Sequence, residues 1–383
     1  MADDKDELLP IVDENGRVVE TKTREACHNG SRLLHPVVHL HVFNSRGEIF
    51  LQKRPEWKDI QPGRWDTACG GHVNYGESAE QALKREVNEE LGIDDYYPTE
   101  VARYVYDSVR ERELVYVNIT IYDLPLHPSK EELSDGRFWT IEEVKGEMGK
   151  GVFTPNFESE LISIVLPALK EAILIRQGLP EDAPTIAGLM MTAWGDGICD
   201  YLQGENHNRE DLHELLTMIC RRENTQYSYR NALLAQVDGT TVGLALSYDG
   251  GRLVELRWPT IVALKEIFHR EISLVDETQA GELYLDALGV SPNFRRRGIG
   301  SALLRGTQRK AERLGLPVGL LVDTENEQAR RVYLKNSFQE LEDRLVGPFE
   351  MRHMTLQCGE KSRVSLQRME ENPQPRPLHP DDR

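Results

Sequence analysis

The chain has 383 residues, which is long for one hydrophobic core and favours two domains. Its formal net charge of −18 and isoelectric point near 5.2 oppose a nucleic-acid or anionic-membrane partner, because either would require a basic surface. We therefore expect no nucleic acid and no membrane among its partners, and any binding of phosphate groups must be local.

The N-terminal half alternates strand and helix patterns. Two apolar, partly alternating segments flank a turn that contains Gly47, as in a β-hairpin. A closing helix is predicted from the apolar period near the end of this half. The alternation suits an α/β sandwich. In chain order the predicted elements are strands at 36–43 and 48–54, a helix at 78–91, strands at 100–107 and 114–123, and a helix at 156–172.

One short segment carries most of the chemical information. Its nine fixed positions follow the spacing G-x5-E-x7-R-E-U-x-E-E-x-G-U, where U is aliphatic. They are Gly71, Glu77, Arg85, Glu86, Val87, Glu89, Glu90, Gly92 and Ile93. On a helix, Glu86, Glu89 and Glu90 share the face opposite the apolar side chains. Like charges at this spacing repel, so the cluster favours a divalent-cation site over a merely solvated acidic face.

The segment resembles the Nudix box without a mismatch. This resemblance implies a small-molecule diphosphate as substrate and Mg²⁺ (or Mn²⁺) as cofactor. It assigns Glu86, Glu89 and Glu90 to the metal, with the Gly71 carbonyl nearby, and makes Glu86 and Glu89 catalytic. Glu132 resembles a loop glutamate that some Nudix hydrolases use as a further base.

The resemblance to Nudix hydrolases covers roughly residues 8–171. In that family a contact between the residues at Glu77 and Arg85 locks the loop before the helix. The two are eight residues apart, too far for neighbouring helical turns. The contact therefore requires the loop to fold back onto the helix.

Five histidines lie near the predicted first strand and the box. The spacing of His28, His35 and His72 resembles the isopentenyl-diphosphate isomerase branch of the Nudix group, in which such histidines bind a second metal. His39 and His41 share one face of the strand, where packing against the sheet is the simpler interpretation.

Two positions depart from the isomerase pattern. The proton-donating cysteine of the isomerases corresponds to Gly70, and Cys69 is one residue away, which on extended chain turns its side chain to the opposite face. The later glutamate pair is matched only by Glu113, with Val115 at the second site. We therefore favour hydrolysis and keep isomerase activity as the alternative.

The second half begins a new pattern, with a strand at 173–176, a helix from about 181, and an apolar strand at 283–290. A basic glycine turn then precedes a helix at 301–314. Free backbone N–H groups at a helix start attract anions, so this turn predicts a pyrophosphate cradle. Its residues are Arg295, Arg296, Arg297, Gly298, Ile299 and Gly300.

A second spacing, N-x-x-A-x-x-x-Y-x-x-x-x-F from Asn326 to Phe338, follows a strand at 318–322. With the glycine turn it resembles the GNAT N-acetyltransferases over about residues 173–357. The resemblance implies acetyl-CoA as cofactor, Asn326 at its pantetheine arm, and Tyr333 as the acid that protonates the leaving thiolate.

The candidates for the general base of the second half are Glu282 and Asp286, and the sequence does not identify the amine acceptor. Residues 195–230 and 250–280 would line its pocket.

Taken together, the patterns predict an α/β fold of the α+β type. A Nudix α/β/α sandwich at 1–171 precedes a GNAT mixed-sheet domain at 172–358 and a disordered tail at 359–383. The predicted function is a bifunctional fusion that hydrolyses a diphosphate and transfers acetyl to an amine. The alternatives are isomerase activity in the first half and a ligand-sensing domain without turnover.

Hydropathy and cysteine content bear on location. No apolar run reaches the roughly 18 residues of a membrane span, and residues 1–7 are charged where a signal peptide would be apolar. The five cysteines contain no C-x-x-C pair, which argues against structural disulfides and a thiolate zinc site. We expect a cytoplasmic protein, and a homodimer is left open.

Overall fold

The computed structural model describes residues 5–58, 60–129, 133–271, 275–346 and 348–357. The chain divides into two compact units, which are residues 1–177 with 234–242, and residues 178–233 with 243–383. The domain boundary predicted at residue 171 stays a prediction. The predicted tail at 359–383 lies outside the described residues.

The first unit is built on a mixed sheet with the strand order β5-β4-β3-β8-β7, in which β6 also pairs with β3 and β9 with β4. A separate antiparallel pair, β1 and β2, was not predicted. The strands are β1 (Leu8–Val12), β2 (Val18–Thr23), β3 (Leu34–Phe43), β4 (Ile49–Lys53), β5 (Trp65–Asp66), β6 (Cys69–His72), β7 (Thr99–Asp107), β8 (Arg112–Ile121), β9 (Asp135–Trp139) and β10 (Leu174–Gln177).

Strand pairing along β3 brings together candidate site residues that are far apart in the sequence. β3 and β8 pair in parallel over their whole length, and this register sets His35 opposite Glu113. β3 and β6 pair in antiparallel fashion, which sets His39 opposite Gly70. Residues from three separate stretches of chain therefore meet along β3.

The helices of the first unit are α1 (Arg24–His28), α2 (Ala79–Leu91), α3 (Ile141–Glu147), α4 (Pro155–Glu160) and α5 (Leu166–Glu171). The helix predicted at 156–172 is interrupted by a π-helical turn, Leu161–Val165. α2 begins in a capping box between Ser78 and Gln81, and it ends at Gly92 with a left-handed φ of 63°. These caps fix both ends of the helix that carries the acidic face.

Apolar layers cover both faces of the first sheet. One layer, on the α2 side, includes Leu40, Leu83 and Val87, and the other, on the α4 side, includes Val117, Phe157 and Leu161. Helices on both faces of a mixed sheet form the α/β sandwich that the sequence predicts.

The second unit contains a mixed sheet in which β12, β13, β14, β16 and β15 follow one another. β13 pairs with β14 in parallel from Leu283↔Val318 to Leu285↔Leu320, and it pairs with β12 along its whole length. The remaining strands of the chain are β11 (Ala232–Val237), β12 (Thr240–Asp249), β13 (Leu283–Val290), β14 (Val318–Asp323), β15 (Gln339–Val346) and β16 (Phe349–Leu356).

The helices of the second unit are α6 (Ala183–Gln203), α7 (Arg209–Cys220), α8 (Leu253–Phe268), α9 (Ile299–Leu314) and α10 (Glu327–Lys335). Short 3₁₀ helices occur at Pro180–Asp182, Tyr229–Asn231, Gly250–Arg252 and Pro292–Phe294. A bend at Gly195 interrupts α6. Within the described ranges, none of the helices combines the length and the apolar character that a membrane span requires.

Candidate functional site

Arg85 holds the loop before α2 against that helix. Its Nε and Nη2 atoms donate to the two carboxylate oxygens of Glu77, each at 2.9 Å, and Nη2 also donates to the His72 carbonyl at 3.0 Å. A bidentate, charge-assisted pair of this kind fixes orientation as well as distance. The contact predicted between Glu77 and Arg85 is therefore present, and it reaches the end of β6.

Glu86 lies directly against the same loop. A Cβ atom at Gly71 would overlap the Glu86 carboxyl group, so this close approach requires glycine. Glu86 Oε1 accepts a hydrogen bond from Arg85 Nη1 at 2.7 Å. Burial raises the pKa of Glu86 above its ordinary value, although Arg85 opposes that shift.

Glu90 is held by hydrogen-bond donors from the glycine loop and from β4. Its Oε2 atom accepts from the Gly70 backbone N–H at 3.3 Å and from Gln52 Nε2 at 3.4 Å, and the Cys69 thiol also bonds this carboxyl group. Burial, followed by repulsion from Glu86, raises the pKa of Glu90 to about 8. Two enclosed carboxyl groups with raised pKa values are an oxygen donor set that fits a divalent cation.

The third acidic residue of the helix lies farther out. Glu89 is exposed, and its Oε2 atom is 3.4 Å from Arg85 Nη1. The structure therefore brings Glu86 and Glu90 together beside the glycine loop and leaves Glu89 at the edge of that space. Glu132, predicted as a further base, lies outside the described residues.

A separate histidine cluster forms beside β3. Potential ligand atoms of His28, His35 and His72 lie within 4.8 Å of one another. The Nε2 atoms of His28 and His72 are 3.0 Å apart, and His28 Nδ1 is 2.8 Å from Glu111 Oε2. These distances join residues that are up to 83 positions apart in the sequence, as the numbering of His28 and Glu111 gives.

His35 provides a test of whether this cluster fits a metal. It is fully buried, its Nδ1 bonds the Leu33 carbonyl at 2.9 Å, and its Nε2 has no hydrogen-bond partner among the described residues. Burial lowers the pKa of His35 to about 4 and that of His72 well below its ordinary value. Neutral imidazoles with unused lone pairs are suitable ligands for a transition-metal ion.

The acidic partners of the histidines correct a prediction from the sequence. Val115, expected at the second glutamate position, is buried in the apolar core. Glu111 instead contacts His28, and Glu113 Oε1 lies 4.0 Å from His35 Nε2. The pair is therefore Glu111 and Glu113, two residues before the predicted positions 113 and 115. The i,i+2 spacing of the two glutamates was the signal for it in the sequence.

The thiol and the glycine beside it occupy different environments. Cys69 is fully buried, and burial followed by the Glu90 charge raises its pKa well above the ordinary value. A Cβ atom at Gly70, the position of the isomerase cysteine, would lie 3.2 Å from His39 Cδ2. The space beside this position is thus occupied by an imidazole ring.

The predicted pyrophosphate cradle lies at the start of α9. Gly298 is its N-cap with a left-handed φ of 87°, and no side chain of the described residues caps this helix start. A Cβ at Gly300 would meet open space, whereas the Ile299 side chain is buried and leaves only its backbone to a ligand. Arg295, Arg296 and Arg297 are exposed around this turn. The geometry can present N–H groups to an anion.

Two further predicted residues of the second unit have partners within the protein. Asn326 caps α10, since its side-chain oxygen accepts from the Ala329 N–H at 3.0 Å, which leaves its amide nitrogen for a ligand. Tyr333 is buried against Phe338, and burial raises its pKa to about 12. A phenol with this pKa keeps its proton at neutral pH.

The structure separates the two candidate bases. Glu282 is buried and bonded to His353 Nε2 at 3.0 Å and to Thr278 Oγ1 at 2.6 Å. Asp286 is the extra residue of a β-bulge opposite Leu246 and Ser247, because the register shifts across it. It also follows the last residue of β13 that pairs with β14. A bulge redirects a side chain, so Asp286 is the more available carboxyl group.

Asp286 belongs to a cluster with Glu277. Tyr248 OH donates to Asp286 Oδ2 at 2.9 Å, and the hydroxyl also bonds Glu277. Burial raises the pKa of Asp286 to about 7 and, together with the Asp286 charge, that of Glu277 to about 8. Glu277 was not among the residues predicted from the sequence, since nothing in its flanking residues places it beside β13.

In comparisons with known proteins, the two halves of the chain match different families. The family model "NUDIX domain" matches residues 33–157, and the model "Acetyltransferase (GNAT) family" matches residues 197–338. An isopentenyl-diphosphate Delta-isomerase of Streptomyces avermitilis is 30% identical over 43% of this chain and 86% of its own length. An uncharacterized Nudix hydrolase of Listeria monocytogenes is 35% identical over 32% of this chain and 74% of its own. A crystal structure of an acetyltransferase, 25% identical, covers 49% of this chain and 100% of its own with a TM-score of 0.42.

We predict that the first unit binds divalent metal at two separable places. Calorimetric titration with Mn²⁺ should reveal two binding events in the wild type. His28→Ala should remove one event by deleting an imidazole ligand, and Glu86→Gln should weaken the other.

His127→Ala is the matched control, because His127 is an exposed histidine of the same unit. It should leave both events intact. Loss of the same single event in His28→Ala and Glu86→Gln would contradict two separate sites.

Proposed function

The chain belongs to the Nudix family through its N-terminal half and carries a GNAT acetyltransferase domain in its C-terminal half, and from this premise we propose a bifunctional enzyme. In this proposal the first half hydrolyses a small-molecule diphosphate with Mg²⁺ (or Mn²⁺), and the second transfers acetyl from acetyl-CoA to an amine. Both families indicate enzymatic activity, so each half is expected to turn over a substrate.

The observation that carries the hydrolytic proposal is the enclosure of Glu86 and Glu90 against the glycine loop. Burial raises the pKa values of these two adjacent carboxyl groups, although the charge of Arg85 opposes the shift at Glu86 and that of Lys58 opposes it at Glu90. A divalent ion bound by them would neutralise a diphosphate and make a bound water more acidic. The Gly71 carbonyl is its proposed additional ligand, and Glu89, exposed on the same helix, is the proposed third acidic group.

In this proposal, Arg85 and the glycine loop hold the metal-binding carboxylates in place. Arg85 holds Glu77 and the His72 carbonyl, and this contact keeps Gly70 and Gly71 beside the carboxylates. The Gly70 N–H orients Glu90. A divalent ion would therefore find preoriented oxygen ligands, which lowers the cost of arranging them when a diphosphate binds to that ion.

Isomerase activity is the second candidate for the first half. The histidine cluster with Glu111 favours it, as does similarity to proteins named isopentenyl-diphosphate Delta-isomerase. Gly70 opposes it, because the position of the proton donor has no side chain, and the neighbouring Cys69 thiol is buried with a raised pKa. Incubation with isopentenyl diphosphate separates the two, since hydrolysis releases phosphate and isomerisation yields the allylic isomer.

For the second half we propose that backbone N–H groups at Gly298, Ile299 and Gly300 bind the pyrophosphate of acetyl-CoA. The uncapped start of α9 and the left-handed Gly298 support this. The guanidinium groups of the flanking arginines add positive charge around the turn. The Asn326 amide nitrogen is proposed to contact the pantetheine arm.

Asp286 is the proposed general base and Tyr333 the proposed general acid of acetyl transfer. Asp286 lies at the bulge of β13, and its raised pKa suits a group that takes a proton near neutral pH. The half-buried carboxyl pair of Asp286 and Glu277 favours a cationic amine over a neutral alcohol as acceptor. Tyr333 retains its proton, as a donor to a leaving thiolate must.

Other parts of the proposal rest on composition. A cytoplasmic location stays a prediction from hydropathy and cysteine content, and the exclusion of nucleic acid and membrane as partners stays a prediction from a net charge of −18. A homodimer also stays open.

We predict that Glu90→Gln abolishes hydrolysis of a diphosphate panel in excess Mg²⁺ while the fold is retained. The amide copies the shape of the protonated acid but cannot bind a metal as a carboxylate does. Mass spectrometry of products measures the effect. Cys69→Ala is the matched control: it removes one small buried partner of Glu90 and should retain hydrolysis, and an inactive folded Cys69→Ala protein would restore a role for the thiol.

We predict that Gly298→Val weakens acetyl-CoA binding while hydrolysis persists, since a side chain would block backbone approach to the pyrophosphate. Calorimetric titration of acetyl-CoA measures the change. Gly315→Val is the matched control, because Gly315 ends the same helix with a left-handed φ of 67° and open space around it. Equal affinity in Gly298→Val and wild type would remove the cradle assignment.

We predict that kcat/KM for acetyl transfer falls as pH drops through about 7, because the base must be deprotonated and burial raises the pKa of Asp286 to about 7. Below that pH the slope should approach about tenfold per pH unit. Asp286→Asn should lower kcat strongly and remove the slope. Rates from an acetyl-CoA consumption assay with a primary amine panel test this, and an unchanged profile in Asp286→Asn would assign the base elsewhere.

A further inference from the structure

A buried carboxylate lies beneath the candidate Nudix site and is not used by the proposed reaction. Glu160, the last residue of α4, is 2% exposed. Its oxygens accept hydrogen bonds from His39 Nδ1 at 3.0 Å and from Tyr104 OH at 2.6 Å, and His41 Nε2 is a third donor. A carboxylate this deep requires charged or strong donors, and here three of them converge on it.

Of the three donors, His39 has a ring edge that reaches the candidate site. His41 is fully buried, whereas 15% of the His39 side chain is exposed. Its Cδ2 and Nε2 atoms lie 3.2 and 3.6 Å from where a Cβ of Gly70 would be. The Gly70 N–H in turn bonds Glu90. The Nε2 edge of His39 and the proposed metal ligand therefore border the same glycine.

The charges around His39 favour its cationic form. Although burial opposes it, the Glu160 charge, assisted by Glu113 on β8 and Asp66 on β5, raises the pKa of His39 to about 9. Nδ1 then donates to Glu160, and the second N–H, at Nε2, has no hydrogen-bond partner among the described residues. A fixed cationic donor in an otherwise acidic space is suited to an anionic oxygen.

We propose that His39 binds the substrate: its Nε2–H donates to a diphosphate oxygen over Gly70, and Glu160 is the residue that positions the ring. The inference rests on the proposed diphosphate function and adds a recognition group from β3 that lies outside the nine box positions. It also gives a reason for glycine at position 70, because a side chain there would push the His39 ring away.

The test uses methylene diphosphonate, a diphosphate that cannot be hydrolysed, titrated by calorimetry into the full-length protein with Mg²⁺. His39→Asn places an amide nitrogen near the Nδ1 position, so it retains the bond to Glu160 and removes the Nε2 edge. Affinity should fall about tenfold or more, as expected for loss of a charge-assisted hydrogen bond. Glu160→Gln should weaken binding similarly, since the ring loses its anchor.

His41→Gln is the matched control. The glutamine amide reaches the Nε2 position of His41 and keeps a donor on Glu160, but this side chain has no edge toward the glycine loop. Diphosphonate affinity of His41→Gln should stay within about twofold of wild type. This result would show that the loss in His39→Asn does not come merely from disturbing the buried Glu160. Equal loss in His41→Gln and His39→Asn would overturn a direct contact by His39.

A measurement on the wild type keeps the test independent of variant stability. In ¹⁵N nuclear magnetic resonance spectra, the His39 Nε2 signal should shift on addition of methylene diphosphonate, while the His41 signals change little. In Glu160→Gln at neutral pH the His39 signals should move toward those of neutral imidazole, which a purely structural role of Glu160 would not require.

The outcomes separate this inference from the proposed function. Wild-type protein that binds no diphosphonate overturns both. Binding with unaltered affinity in His39→Asn, or without a shift at His39 Nε2, overturns the inference and leaves the metal-dependent function standing. Reduced binding in His39→Asn and Glu160→Gln with normal binding in His41→Gln supports it, even where no natural diphosphate has yet been turned over.

Discussion

The bidentate contact between Arg85 and Glu77 is the constraint on which the first unit depends. It holds the loop that ends at Glu77 against α2, and its third hydrogen bond, to the His72 carbonyl, fixes the end of β6. Gly70 and Gly71 are then held close to Glu86 and Glu90, and His72 is held beside His28. One guanidinium group thus relates both candidate cation sites.

The first unit holds two kinds of candidate cation ligand, carboxylates and imidazoles, in separate places. On α2 the candidate ligands are carboxylates, and burial raises the pKa values of Glu86 and Glu90. Beside β3 they are imidazoles, and burial lowers the pKa values of His35 and His72. Desolvation disfavours the charged form in both, so each set is left with donor atoms that a cation would satisfy. Glu160 is the exception, because His39 supplies its counter-charge within the protein.

The second unit obtains its candidate chemistry from strand geometry. Parallel pairing between β13 and β14 extends to Leu285, and a bulge against β12 falls on the next residue, Asp286. A carboxyl group is redirected where the two strands stop pairing, and β13 continues toward the glycine turn at the start of α9. The arrangement explains why Asp286, within β13, and Glu282, directly before it, have different partners.

The sequence by itself determined features that depend on neighbours along the chain: the strand at 283–290, the box helix with its acidic face, and the glycine turn before α9. These follow from local periodicity and backbone conformation. Only the tertiary structure decided that Glu111 is the second acidic partner and that Glu160 meets His39 across 121 residues. Side-chain pairs of that separation are set by sheet register and helix packing, which leave no local pattern in the sequence.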